Sequence, residues 1–142
     1  MVIRNVIAIT LFAVGIGTTS TSYSLKERAE PTVVRAVAPV FSNYQAAVPA
    51  ANRHVVIRVR IDNPGNVKSA ENVSGIDVNG QAKQAALRWK FSSTDRDNSE
   101  RVANLTFVFQ NMPEETSEEE LTPIFKPPFE IEVRRRIHLL EK

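Results

Sequence analysis

Apolar and polar positions alternate most regularly between His54 and Asp62. There Val55, Ile57, Val59 and Ile61 take turns with His54, Val56, Arg58, Arg60 and Asp62. A period of two is that of a strand with one buried face. Asn63-Pro64-Gly65-Asn66 follows as a turn, because proline presets one backbone angle and glycine accepts a positive one. Val67–Ser74 then predicts the returning strand of a hairpin, with imperfect alternation that implies a bulge or an edge position. Helical spacing takes over at Val78, Ala82, Ala85, Ala86 and Trp89, with Asp77 or Asn79 available as N-cap. The stretch Gln84–Phe91 closes this helix on an aromatic pair, Trp89 and Phe91, and runs on toward a strand. Arg101–Gln110 alternates again, with Ala103, Leu105, Phe107 and Phe109 inward. Phe129–Arg135 repeats the pattern with Phe129, Ile131 and Val133, as a fourth strand or a strand-ready tail. A helix over 41–48, with Phe41, Tyr44 and Val48 on one face, would stop at Pro49.

These elements divide the chain into four parts. Residues 1–24 have a charged start at Arg4, an 11-residue apolar run Val6–Ile16 and a small-residue exit at Ser22-Tyr23-Ser24. That is the layout of a cleaved signal peptide, and the run is short against the roughly 20 residues of a membrane span. An uncleaved N-terminal anchor is the alternative. Residues 25–39 form a short linker, 40–110 the domain, and 111–142 an acidic, proline-rich loop with a strand-like tail. The expected fold class is α+β: a small antiparallel sheet of hairpin, helix and strand, with helices packed on one face.

Composition removes several kinds of chemistry. The 142 residues include no cysteine, which excludes disulfides, thiolate metal sites and a cysteine nucleophile. A net charge of +2 gives no footprint for nucleic acid. His54 and His138 have no spaced acid or nucleophile partner, so neither an enzyme nor a small-molecule substrate is expected. Asp95-Arg96-Asp97-Asn98 lacks the glycine and distal glutamate of a calcium loop, and no metal or cofactor is expected. Asn72-Val73-Ser74 and Asn104-Leu105-Thr106 match glycosylation acceptors but lie inside predicted strands. Arg134-Arg135-Arg136 stands amid glutamates. Arg58 and Arg60 share the polar strand face and are candidate side-chain contacts, although a solvated face is the readier account of them. What remains is backbone chemistry: an open sheet leaves edge strands that can accept a strand from another chain.

The order of these pieces resembles the TonB C-terminal domain family. The likeness rests on His54–Asp62, the turn Asn63-Pro64-Gly65-Asn66-Val67, Val73-Ser74-Gly75, then Ala85-Ala86-Leu87-Arg88-Trp89-Lys90-Phe91 and the strand Arg101–Phe109. It spans roughly residues 40–110. The resemblance implies a three-stranded antiparallel sheet with helices on one face, in a periplasmic protein that serves energy-coupled transport across the outer membrane. It implies strand addition of the short TonB box of an outer-membrane receptor to the last strand of the domain. In this chain that strand is Arg101, Val102, Ala103, Asn104, Leu105, Thr106, Phe107, Val108, Phe109 and Gln110. Residues 1–24 lack the motor-coupling histidine, and 25–39 span at most about 50 Å instead of forming a long spacer. The start Val40-Phe41-Ser42 also replaces the family's tyrosine-proline. These departures argue against ExbB and ExbD as partners. The expected location is periplasmic or secreted, or inner-membrane anchored facing the periplasm. The alternative function is a non-transducing structural or homodimerisation module whose tail strand closes the sheet edge.

Overall fold

The computed structural model describes residues 31–95 and 100–137. The predicted signal or anchor segment, His138 and most of Asp95–Asn98 lie outside these residues. Among the described residues seven strands are formed: β1 (Val33–Arg35), β2 (His54–Ile61), β3 (Val67–Ser74), β4 (Lys90–Phe91), β5 (Arg101–Met112), β6 (Ile124–Lys126) and β7 (Glu130–Arg136). Two short α-helices accompany them, α1 (Asn43–Ala46) and α2 (Gln81–Leu87). The fold is therefore α+β, dominated by sheet.

Five strands form one sheet in the order β3-β2-β5-β7-β6, while β1 and β4 pair separately. β2 runs antiparallel to both β3 and β5, whereas β7 lies parallel to β5, from Thr106 opposite Glu130 to Met112 opposite Arg136. The expected purely antiparallel sheet is thus corrected to a mixed one. The expected boundary at 110/111 falls inside β5. The proline-rich connection after Met112 carries the chain to the far edge, where β6 descends. β7 then returns between β6 and β5, inserting Ile131 and Val133 into the core.

One sheet face is the core. Val55, Ile57, Val59 and Ile61 of β2 meet Ala103, Leu105, Phe107 and Phe109 of β5, all buried. Alanines 82, 85 and 86 give α2 a flat face that sits close against the sheet. The helix is shorter than its hydrophobic spacing predicts, because Asn79 and Gly80 take left-handed backbone angles within a 3-10 turn. Asp77 nonetheless serves the helix start, its carboxylate accepting from the N–H groups of Ala82 (2.8 Å) and Lys83 (3.0 Å). Those donors have no partner inside the helix, so the carboxylate satisfies them and complements the positive helix end.

The segment before α1 is not a spacer. Val33, Ala36, Val37, Ala38 and Phe41 pack on the core, and the Phe41 ring meets Phe109 edge-on at 5.1 Å. Tyr44, expected on the inward face of a longer helix, is 73% exposed. Gln45 is buried instead, and it donates to the carbonyl of Ile76 (3.0 Å) while accepting from the N–H of Val78 (2.9 Å).

Candidate functional site

Strand addition needs main-chain N–H and C=O groups that point away from every existing neighbour. Alternation along a strand decides which residues supply them. In β5 the N–H of Phe109 donates toward the β2 side, to the carbonyl of Arg53 (3.1 Å), whereas that of Thr106 donates to the carbonyl of Phe129 (2.8 Å), leading into β7. Odd-numbered residues of β5 therefore bond to β2, and even-numbered ones face the β7 lane.

β7 fills that lane only from Thr106 onward. For Thr106–Gln110 the expectation of an accepting edge is corrected: Thr106, Val108 and Gln110 already face β7, while Phe107 and Phe109 face β2. The side chains of Ala103, Leu105, Phe107 and Phe109 are buried and unavailable for contact. In the first half, Arg101–Leu105, the lane beside β5 has no strand among the described residues. The main-chain groups of Val102 and Asn104 point into it. Asn104 also lines a cleft of about 280 Å³ with Thr106, Lys126, Pro127, Pro128, Phe129 and Glu130. Val102 is 47% exposed beside it.

The two outer edges differ. In β7 the residues Glu130 and Glu132 face β6, so their partners Lys126 and Ile124 point inward and Phe125 points outward. The neighbouring outward positions are Pro123 and Pro127, which have no N–H to offer. The β6 edge is blunted. Just past β2 the N–H of Asp62 donates to the carbonyl of Asn66 (2.9 Å), so Arg58 and Arg60 also face β3. Their partners Glu71 and Ser69 bond inward, leaving Ala70 and Asn72 with N–H and C=O groups turned outward. Register shifts at both ends of β3 confine its regular part to Ser69–Asn72.

Arg58 and Arg60 lie on the sheet face opposite the core and are exposed. Arg60 meets Glu100 at 3.2 Å, both side chains being more than half exposed, which gives at most a small stabilisation. The structure does not bring either arginine into the cleft. On the same face lies a charge cluster around Glu132. Glu132 is 6% exposed, and it accepts from Arg134 Nε at 2.6 Å and from Lys126 Nζ at 3.3 Å. Burial pushes its carboxyl up, but the hydrogen bonds and charges of Arg134 and Lys126 outweigh that and hold it below the ordinary value. Arg134 and Arg136 also donate to the carbonyls of Glu120 and Thr116, fixing the 113–121 connection over this face. Strand alternation alone places Glu132 outward, and nothing in the sequence signals this cover.

His54 is exposed at the head of β2, and no group of three or more metal-ligating side chains gathers among the described residues. No helix among the described residues is long and apolar enough to cross a membrane. Comparison of the chain with protein-family models, curated proteins and solved structures finds no match.

Proposed function

We propose that this chain is a TonB-like, transport-associated protein of the bacterial envelope, not an enzyme, that binds an extended peptide by strand addition. The accepting groups are the main-chain N–H and C=O of Val102 and Asn104, in the unfilled half of the lane beside β5. The partner is a short extended segment of the receptor TonB-box type. The observation that carries this reading is the end of β7 pairing at Thr106, which leaves the lane beside Arg101–Leu105 without a strand among the described residues, with Asn104 on a cleft and alternate backbone groups turned outward. Backbone pairing supplies affinity without distinctive side chains.

The test is a titration of the labelled chain with a TonB-box peptide, followed by amide chemical shifts. The Val102 and Asn104 amides are expected to move together, and Asn104→Pro is expected to abolish binding. That substitution removes an N–H facing away from β2, so the existing ladder survives. Shifts confined to β3, or to Arg58 and Arg60, would sink the proposal.

A second reading draws on β7 itself. The tail strand fills the lane from Thr106 to Met112, as a non-transducing structural module would require. Unchanged amides throughout the titration favour that reading.

A further inference from the structure

The edge of β3 is separate from the peptide lane, and its chemistry is self-complementary. We infer that two copies of this chain associate through antiparallel pairing of their β3 strands about Ala70. The pairing gives one continuous sheet of ten strands, five from each copy.

The register follows from three constraints. A two-fold axis perpendicular to a sheet keeps each side chain on its own face, so directly opposed residues must share a face. That requirement leaves registers centred on a residue. Hydrogen bonding at the centre demands a residue whose main chain points outward, which within the regular part of β3 means Ala70 or Asn72. Centring on Asn72 moves the pairing into the register shift between Asn72 and Ser74. Centring on Ala70 keeps the central pair and the flanking Ser69–Glu71 pairs within the regular run.

Charge then supports this choice. Ala70 lies opposite its own copy, and Ser69 lies opposite Glu71 of the second copy. Within each copy Ser69 is already opposite Arg60, and Glu71 opposite Arg58. Across the joined edges each row therefore reads Arg60, Ser69, Glu71 of the second copy, Arg58 of the second copy. Each glutamate sits beside Arg58 of its own copy and one small residue, Ser69, away from Arg60, whose partner in the single chain is the exposed Glu100. Among the described residues neither Arg58 nor Glu71 has an ion pair within the single chain. The neighbouring register centred on Glu71 would oppose the two glutamates directly, which is destabilising.

The experiment is sedimentation equilibrium of the full chain over a wide concentration range, with three variants. The wild type is expected to show a monomer–dimer equilibrium. Ala70→Pro deletes one outward N–H per copy, a group that takes no part in the β2–β3 ladder, and should raise the dissociation constant at least about tenfold. Ser69→Glu should weaken association by opposing Glu71, and Ser69→Glu/Glu71→Lys should restore it. Amide spectra confirm that each variant keeps the monomer fold. A monomer at every concentration would overturn the inference, as would a dimer indifferent to Ala70→Pro and to the charge pair. Peptide binding at Val102 and Asn104 is read separately, so the two proposals stand or fall independently.

Discussion

The indole N–H of Trp89 donates to the main-chain carbonyl of Val37 across 2.9 Å, joining two residues 52 positions apart. Trp89 is the chain's single tryptophan, and its ring also meets Phe107 and Phe125 edge-on at 5.8 and 6.1 Å. It therefore fastens the segment that begins at β1 to the sheet. Trp89→Phe removes the donor and leaves a void, and it is expected to cost about 2–3 kcal/mol in urea unfolding. Amide exchange across residues 33–41 should accelerate more than in β2. Equal acceleration everywhere would show that the bond does not hold that segment in particular.

Gln45 joins α1 to the approach of α2 through two main-chain groups. Gln45→Leu keeps much of its bulk but orphans the Ile76 carbonyl and the Val78 N–H. A loss of about 2–4 kcal/mol is expected. Retention of wild-type stability would mean that water replaces both bonds.

Gly65 and Gly80 both have positive φ but differ in their surroundings. A Cβ on Gly65 would lie 1.9 Å from the carbonyl oxygen of Phe91, whereas one on Gly80 meets nothing within 4 Å. Gly80→Ala should cost only the left-handed backbone penalty, about 1–2 kcal/mol. Gly65→Ala should cost several times more, since main chain must move. Comparable urea midpoints for the two variants would contradict this packing.

Acid should expose the role of Glu132. Its folded pKa lies below that of the unfolded chain, so as pH falls the unfolded state takes up the proton first. The contribution to stability is present above the ordinary carboxylate range and disappears as pH falls through the depressed folded value. The stability gap between wild type and Glu132→Gln should therefore be widest near neutrality and shrink in acid. A gap that does not change with pH would remove the ion pairs as its cause.

β2, β5 and β7 are legible as strands because each alternates apolar and polar residues, and their inward sets lie in or against the core, whereas β3 alternates poorly and leaves Val73 38% exposed. Asn63-Pro64-Gly65-Asn66 likewise announces its turn. Alternation identifies a strand's face but neither its neighbour nor its direction, so the parallel seating of β7 against β5 could not be read. The same limit misplaced the accepting edge across Thr106–Gln110. Residues 33–39 resembled a linker because their few apolar side chains show no period. They join the core only where the sheet and Trp89 receive them. Glu132 was illegible for a related reason, since its burial depends on a connection that Arg134 and Arg136 tether from across the chain.

Pro123 and Pro127 set a limit on assembly. A sheet with two receptive borders can recruit copies end over end without stopping, which is the geometry of a fibre. With the β6 border blunted, β3 is the other outer border of the five-stranded sheet among the described residues, and the proposed joining of two copies through it would consume both. Growth terminates at the pair. The two prolines thus act as chain stoppers, keeping a protein rich in β-structure from polymerising edge to edge.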